Sequence, residues 1–162
     1  MTEDLSIVPI NSRNFEDFIF LIGKLAEYEK LSPPNSKAKA RLKRDGLGPK
    51  PKYEAYLATF GSSAVGYLIF FNTYSSFLAL PTLYIEDIFV LKEYRHRGIG
   101  QKLFEFCVKV AKDRGYGRIE FCVLTWNEPA IKFYEKNSAE RLGWYFYRLD
   151  REQIDNWEPT SN

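Results

Sequence analysis

The sequence is poor in cysteine and contains no long run of apolar residues. Its two cysteines, Cys107 and Cys122, lie in apolar segments without the Cys/His spacing of a zinc site. Neither a disulfide scaffold nor a structural metal is therefore expected to organise the fold. No stretch approaches the roughly 18 apolar residues that a membrane span requires, and the acidic residues 1–4 precede no apolar segment typical of a signal peptide. We expect a soluble cytoplasmic protein with no membrane partner and no metal.

The chain also lacks a large excess of charge of either sign. Lysine and arginine number 23 against 21 aspartate and glutamate residues, which gives a net charge of +2. A dedicated nucleic-acid-binding protein normally shows a strong basic excess, so nucleic acid is not expected as a partner. With 162 residues, 45% of them hydrophobic and 17% aromatic, the composition excludes disorder and is typical of one globular domain. We take residues 1–162 as that single domain.

Hydrophobic periodicity divides the chain into strands and helices. Apolar and aromatic runs predict strands at residues 5–10, 53–60, 64–74, 83–91, 118–125 and 142–149. Apolar residues at three-and-four spacing predict helices from about Asn14, from Gly98 to near Gly115, and at residues 128–137 and 150–157. Asn14 is predicted to be the N-cap of the first helix. The pattern as a whole predicts a mixed α/β fold.

Residues 36–52 are the compositional outlier, and we call them the basic segment. They contain seven cationic residues and a single acid, Asp45. One interpretation is a solvated surface helix and loop. The other is a patch that attracts anionic ligands or repels cations.

A strand followed by a glycine loop and a helix is the most informative unit of the sequence. Gly98 and Gly100 remove side chains where the backbone must approach a ligand closely. The loop opens directly into a helix, whose unpaired N–H groups and positive end favour a phosphate or pyrophosphate. Neither the Walker spacing nor the dinucleotide-binding glycine spacing is present.

These residues carry an extensive resemblance to a known family. The run Arg95-His96-Arg97-Gly98-Ile99-Gly100, the strand at residues 83–90 before it and the segment at residues 126–134 after it resemble the GNAT family of N-acetyltransferases. The similarity covers about residues 5–150 and is strongest to the branch that contains diamine (spermidine/spermine) and thialysine acetyltransferases. It implies a single GNAT-type domain with a central, mixed, mostly antiparallel twisted sheet flanked by helices.

The resemblance implies acetyl-CoA as cosubstrate and assigns residues to it. The strand would offer backbone groups to the pantetheine arm, the glycine loop would hold the pyrophosphate, and Asn127 would contact the cofactor near the start of the next helix. The implied cofactor-binding residues are Ile88, Phe89, Val90, Arg95, His96, Arg97, Gly98, Ile99, Gly100, Gln101, Asn127 and Ala130.

The same resemblance implies two catalytic residues, Tyr134 and Glu86. Tyr134 matches the tyrosine that protonates the departing thiolate, and a phenol near pKa ~10 can protonate a thiolate of pKa ~8.5 with modest tuning. A primary amine of pKa ~10 must lose a proton before it attacks, and Glu86 is the candidate base. Asp87 would lie on the opposite face of an ideal strand, although a local bulge would change that assignment.

The acceptor is expected to be a small-molecule primary amine, acetylated directly in a ternary complex. Implied substrate-binding residues are Tyr28, Glu29, Glu86, Glu120, Phe121 and Cys122. Ser75 and Leu142 stand where the polyamine branch has acids, and the basic segment is acidic in most of those relatives. Fewer carboxylates and more lysines weaken the attraction for a polycation. An amino-acid-type amine with its own carboxylate, such as thialysine or lysine, therefore fits better than spermidine.

Three other functions remain open, together with the oligomeric state. The alternatives are a non-catalytic CoA-binding module, a protein-lysine or N-terminal acetyltransferase, and a nucleic-acid-contacting protein. The Glu86 and Tyr134 pair argues against the first, and the lack of aromatics among the basic residues argues against the last. Dimerisation is typical of the resembled branch, so a homodimer formed through the aromatic residues 144–147 is expected.

Overall fold

The computed structural model describes residues 5–159, which form two compact units. The first unit extends to Cys122 and the second begins at Val123. The elements of the first unit are β1 (Leu5–Pro9), α1 (Phe15–Glu29), α2 (Ser36–Leu47), β2 (Glu54–Phe60), β3 (Ser63–Ser75), β4 (Leu80–Val90), a short 3-10 turn (Lys92–Tyr94), α3 (Ile99–Asp113) and β5 (Arg118–Phe121). The second unit contains α4 (Glu128–Lys136) and α5 (Arg151–Asp155).

The first unit is built on a five-stranded sheet in the order β1-β2-β3-β4-β5. The first four strands are antiparallel neighbours, whereas β4 and β5 run parallel and are connected by α3. A parallel pair requires such a crossover, while the β2–β3 hairpin needs only a tight turn at Gly61, whose φ is 59°. The expected mixed, mostly antiparallel sheet is confirmed.

The hydrophobic core on one face of the sheet is formed by α1. Phe18 and Leu21 of α1 are fully buried against Leu57 of β2 and Tyr67 of β3. The ring of Phe18 meets that of Tyr67 edge to face, with the centroids 5.4 Å apart. The apolar stripe of α1 therefore fixes where the carboxyl end of this helix lies relative to β3 and β4.

One local prediction differs from the structure near the beginning of the chain. Asn14 does precede α1, but its side chain makes no cap hydrogen bond. Its Oδ1 accepts from the Asn11 N–H at 2.7 Å and its amide donates to the Pro9 carbonyl at 3.1 Å, which stabilises the turn after β1 instead. The basic segment forms a helix over Ser36–Leu47, which ends just before Gly48 and Pro49.

The predicted strand at residues 142–149 is wrong for the chain as described. Between residues 5 and 159, this segment belongs to no sheet. Trp144 and Tyr147 are 77% and 87% exposed, and the residues between them are similarly open. A strand needs a hydrogen-bonding neighbour as well as a strand-like sequence. The predicted β5 is likewise shorter than expected, because its pairing ends at Phe121.

Among the residues described, no helix is long and apolar enough to cross a membrane.

Candidate active site

The strands β4 and β5, at one side of the sheet, part after Ile85. β4 stays paired with β3 as far as Val90, but its pairing with β5 ends at Ile85, opposite Phe121. Along residues 86–90, the edge of β4 that faces away from β3 therefore has no strand partner within the described chain. Backbone groups left unpaired in this way need another hydrogen-bonding partner. An extended ligand can supply it, as the expected role of Ile88–Val90 toward pantetheine requires.

Glu86 lies at a β-bulge on this open part of β4. Asp87 is paired with Ile69 and Ile85 with Phe70, so Glu86 is the extra residue that has no partner on β3. The side chain of Glu86 is exposed and that of Asp87 is partly buried. Because a bulge interrupts the strict alternation of side chains, the separation of the two carboxylates expected for an ideal strand does not apply here.

Asp87 is held by a hydrogen bond that the sequence analysis missed. The hydroxyl of Tyr67, a fully buried residue, donates to Oδ2 of Asp87 at 2.9 Å. Burial raises the pKa of Asp87 to about 6; the bond from Tyr67 opposes that rise, and the negative charges of Glu86 and Glu29 add to it. The charges of Glu29 and Glu86 thus act on the carboxyl of Asp87, and we call these three residues the acidic cluster.

Glu29 reaches the acidic cluster from the last turn of α1. Tyr28 and Glu29 are the final residues of this helix, and Lys30 ends it in the left-handed conformation, with φ 58°. Burial raises the pKa of the Glu29 carboxyl. The structure thus brings together Glu29 and Glu86, both predicted for the acceptor site. A carboxyl group with a raised pKa, such as that of Glu29, is suited to accept a proton from an ammonium group.

The glycine loop has the geometry of an anion-binding site. His96 and Gly98 have positive φ values of 61° and 77°, and α3 begins immediately afterwards at Ile99. The first hydrogen bond of α3 joins the Lys102 N–H to the Gly98 carbonyl at 3.0 Å. The helix itself therefore provides no acceptor for the amides before Lys102. Because these amides lie at the positive end of the helix, they are suited to bind a phosphate group.

Arg95 does not extend freely beside this loop. Its Nε donates to the Val90 carbonyl at 2.9 Å, at the end of β4. Its guanidinium lies over the Tyr28 ring at 4.9 Å and over the Phe89 ring at 5.7 Å, measured to the ring centroids. Arg97, in contrast, is exposed, and its guanidinium lies over the ring of Tyr94, a neighbour in the same loop region, 5.2 Å from the ring centroid.

Three further predicted substrate-binding residues lie at the end of β5. The carboxylate of Glu120 forms an ion pair with Arg118 at 2.9 Å. The ring of Phe121 meets that of Phe104 edge to face. Cys122 is exposed and its Sγ accepts a hydrogen bond from the Tyr84 hydroxyl at 3.3 Å.

The other cysteine, Cys107, is fully buried in α3. Burial raises the pKa of its thiol to about 12, which makes it a poor nucleophile. Over residues 5–159, no group of three or more histidine, cysteine, aspartate and glutamate side chains could hold a metal ion.

The remaining predicted residues lie in the second unit, on and before α4. Asn127 is the N-cap of α4, and its side chain accepts from the Ala130 N–H at 3.4 Å. Tyr134 lies on the same helix, partly buried, with its ring 5.1 Å from that of Phe133. Pro129 occupies the first turn, where its missing N–H has no helical acceptor to lose.

Comparison with known proteins agrees with this geometry. The model of the acetyltransferase (GNAT) family matches residues 23–138. A thialysine N-epsilon-acetyltransferase from Bos taurus is 35% identical over 146 residues, which cover 83% of this chain and 85% of that protein. The spermidine/spermine N(1)-acetyltransferase-like protein 1 from Homo sapiens is 28% identical over 149 residues, which cover 85% of this chain and 21% of that protein.

A solved structure shows the same fold at low sequence identity. It is AAC(6')-Iy in complex with the bisubstrate analogue CoA-S-monomethyl-acetylneamine, with a TM-score of 0.76 and 17% identity, covering 91% of this chain and 99% of that one. The family match spans well over half of the chain and includes the open strand, the glycine loop and α4. The chain therefore belongs to the acetyltransferase (GNAT) family, and it is an acetyl-CoA-dependent N-acetyltransferase.

Proposed function

We propose that the acceptor is the side-chain amine of a small amino acid, such as thialysine or lysine, and that the acetyl group passes to it directly in a ternary complex. The observation that carries this proposal is the acidic cluster at the bulge of β4. Glu86 is exposed at the point where the backbone edge of β4 becomes open. A cationic amine and a thioester held along that edge would meet there.

Amino acids and polyamines differ at the end of the molecule opposite the reacting amine, and the enzyme can distinguish them by what binds that end. The helix α2 begins at Ser36, shortly after Glu29 in the chain, and carries Lys37 and Lys39 in its first turn. Asp45, the only acid of the basic segment, is engaged by Arg44 and Lys52, whose hydrogen bonds and charges lower the pKa of Asp45 to about 2. A helix N-terminus with lysines attracts a carboxylate and repels a second ammonium group.

The polyamine alternative requires an acid that the chain does not supply at Ser75. Ser75 is 4% exposed, and its Oγ accepts the Leu78 N–H at 3.2 Å. This hydroxyl serves the turn after β3 and carries no charge. The acidic cluster can bind one ammonium group, and neither Ser75 nor Leu142 supplies a carboxylate for a distant second one.

The proposed chemistry assigns one proton transfer to each catalytic residue. Acetyl-CoA supplies an acetyl thioester, whose carbonyl carbon is the electrophile. Glu86 accepts a proton from the acceptor ammonium, directly or through water, and so frees the nitrogen lone pair that forms the new C–N bond. Tyr134 donates its phenolic proton to the sulfur as the C–S bond breaks. The nitrogen releases its second proton to water as the amide forms, and the Tyr134 phenolate regains a proton from water. The backbone of residues 88–90 holds the pantetheine arm, and the loop at residues 96–101 holds the pyrophosphate.

An acceptor panel tests this proposal. Thiol release from acetyl-CoA would be measured with thialysine, lysine, cadaverine, spermidine and spermine. Lysine and cadaverine form a matched pair, because they differ only in the α-carboxylate. We expect kcat/KM to be highest for thialysine or lysine and at least about tenfold lower for cadaverine, since a paired carboxylate contributes on the order of 1–2 kcal/mol.

A charge-reversed variant provides the control for the panel. Substituting Lys37, Lys39 and Lys43 with Glu should narrow or invert the preference for lysine over cadaverine, most strongly at low salt. A strong preference of the parent enzyme for spermine would contradict the proposal.

We also propose that both units belong to one acetyltransferase domain and that the protein is a homodimer. The family match at residues 23–138 crosses the boundary between Cys122 and Val123, which supports a single domain. The exposed apolar residues from Leu142 to Leu149 support a self-association surface.

A further inference from the structure

We infer that Arg95 is a positioning residue that joins the acceptor end of α1 to the open strand β4, and that it acts on the reaction through Tyr28 and Val90 rather than through the pyrophosphate. This inference depends on the proposed role of the α1 terminus in binding the acceptor. It extends that proposal, because it names the side chain that fixes the acceptor site relative to the cosubstrate strand.

The first link runs from Arg95 to β4. Its Nε donates to the carbonyl of Val90 at 2.9 Å. Val90 is the last residue of the strand and ends the stretch where β4 has lost β5 as a neighbour. Arg95 therefore provides the hydrogen-bond donor for a main-chain carbonyl on the part of β4 that is not paired with β5. The same bond fixes the direction of the chain at the end of β4.

The second link runs from Arg95 to α1. The guanidinium lies 4.9 Å from the ring centroid of Tyr28 and 5.7 Å from that of Phe89, both within the range of cation–π attraction. Tyr28 directly precedes Glu29 of the acidic cluster. Phe89 is buried, and its ring contacts that of Tyr67, which holds Asp87. One side chain thus contacts both elements that carry the acidic cluster.

The direction of these contacts distinguishes Arg95 from its neighbour Arg97. Arg95 is partly buried, and its Nε and its two ring contacts point to β4 and α1. Arg97 is exposed on the glycine loop, beside the amides that precede α3. A side chain that binds the pyrophosphate is expected to be exposed on the glycine loop, as Arg97 is. A residue that sets the distance between the acceptor and the thioester is expected to be partly buried and to contact both β4 and α1, as Arg95 does.

The kinetic consequence follows from the sensitivity of transfer reactions to geometry. A displacement of about 1 Å between reacting groups can cost on the order of 100-fold in rate. Loss of the Arg95 contacts should therefore lower kcat while the cosubstrate still binds. Loss of a pyrophosphate contact should instead weaken binding of every ligand that contains the pyrophosphate.

The test compares Arg95→Met with Arg97→Met, which remove the same charge from neighbouring positions. The binding probe is 3′-phosphoadenosine 5′-diphosphate, which carries the pyrophosphate but no pantetheine, measured by calorimetry. Turnover is measured at saturating acetyl-CoA with whichever amine the acceptor panel shows to be fastest. We expect Arg95→Met to lower kcat at least about tenfold and to change probe affinity less than about threefold. Arg97→Met should show the converse pattern.

Tyr28 variants test the link to α1. Tyr28→Leu removes the ring and should lower kcat as Arg95→Met does, whereas Tyr28→Phe keeps the ring and should therefore lower kcat less than Tyr28→Leu. The double variant Tyr28→Leu/Arg95→Met should be no slower than the slower single variant, because residues that act as a unit are non-additive. Arg95→Lys serves as a second variant if Arg95→Met does not fold.

Two results would overturn the inference, and neither depends on the identity of the acceptor. A probe affinity that falls more in Arg95→Met than in Arg97→Met would make Arg95 a pyrophosphate ligand. Independent, additive effects of Tyr28→Leu and Arg95→Met would remove the link to α1 while leaving acetyl transfer intact. If no amine is acetylated, the proposed function fails, and the binding comparison still decides the role of Arg95.

Discussion

At the scale of single residues, Asp87 lies in an environment that is unfavourable for its charge. Its pKa is raised from 3.8 to about 6, chiefly by burial. The folded state therefore binds the proton more tightly than the unfolded state does. The associated stabilisation is complete below pH 3.8 and is lost as the pH rises to about 6. The shift corresponds to about 3 kcal/mol that the protein loses at neutral pH.

Replacing Asp87 with Asn should remove this pH-dependent loss. Asparagine cannot ionise, and its carbonyl can still accept the bond from Tyr67. We expect Asp87→Asn to raise the free energy of unfolding by up to about 3 kcal/mol at pH 8 and to change it little near pH 4. Urea unfolding at the two pH values measures the difference.

Tyr67→Phe provides the control for that experiment. It removes the hydroxyl that stabilises the ionised form of Asp87, so it should destabilise the protein more at pH 8 than at pH 4. Equal effects of either substitution at both pH values would show that Asp87 does not titrate as described.

Tyr134 is the residue on which the proposed acid step depends. Tyr134→Phe removes the phenolic proton but keeps the ring that contacts Phe133. We expect kcat to fall at least about tenfold, with acetyl-CoA affinity little changed, because loss of a general acid typically costs 100-fold or more. Steady-state kinetics and calorimetry separate the two quantities. Unaltered turnover would assign the acid role to another group or to water.

At the scale of elements, α3 depends on a glycine in the left-handed region at each end. Gly98 (φ 77°) precedes the helix and Gly115 (φ 69°) follows it, and a Cβ would meet nothing within 4 Å at either position. Substitution by alanine therefore costs conformational energy alone, about 1–2 kcal/mol. We expect Gly98→Ala to reduce both stability and acetyl-CoA affinity, because the loop amides change direction.

Gly115→Ala is the matched control for this prediction. It should cause a similar loss of stability in thermal unfolding and leave acetyl-CoA affinity unchanged, since it lies at the opposite end of α3. Comparable losses of affinity in both variants would mean that the loop geometry acts only through helix stability.

The elements that the sequence predicted best are those whose signals are local. The glycine loop and the start of α3 follow from Gly98 and the apolar period after it, and the hairpin follows from its turn. The bulge at Glu86 could not be predicted, because it is a property of the register between β3 and β4. The same holds for the bond between Tyr67 and Asp87, which are diagonal neighbours across the strands.

Contacts between segments that are far apart in the chain also could not be predicted from the sequence. The stacking of Arg95 on Tyr28 depends on where α1 packs against the sheet, which periodicity does not fix. The sequence identified both residues as belonging to the site but assigned Arg95 to the cosubstrate side alone. At residues 142–149, in contrast, the sequence predicted a strand that the structure does not show, because strand propensity alone does not provide a pairing partner.

At the scale of the whole molecule, the exposed aromatic residues predict self-association. Trp144 and Phe146 are 77% and 72% exposed, within an apolar stretch that has no strand partner in the described chain. Burying such side chains is favourable by roughly 25 cal/mol for each Å² removed from water. We expect light scattering to give about twice the 19.0 kDa chain mass for the parent protein. The variant Trp144→Glu/Phe146→Glu should be a monomer.

Phe20→Glu is the control for the dimer prediction. Phe20 is 53% exposed on α1, in the first unit, and its replacement puts a negative charge at an exposed aromatic position outside residues 142–149. This variant should remain dimeric. A monomeric parent protein, or dissociation by Phe20→Glu alone, would contradict the proposed surface.

The parting of β4 from β5 has a consequence for how the specificity of this enzyme can evolve. An open strand edge presents main-chain groups, which every residue except proline carries. Substitutions at Ile88 that preserve its apolar volume would therefore leave intact the half of the site that faces the acetyl donor. In the proposed function, the acceptor half depends on individual side chains, such as Glu29 and Lys37. The enzyme can thus acquire a new amine substrate through a few substitutions on α1 and α2 while its acetyl donor stays the same.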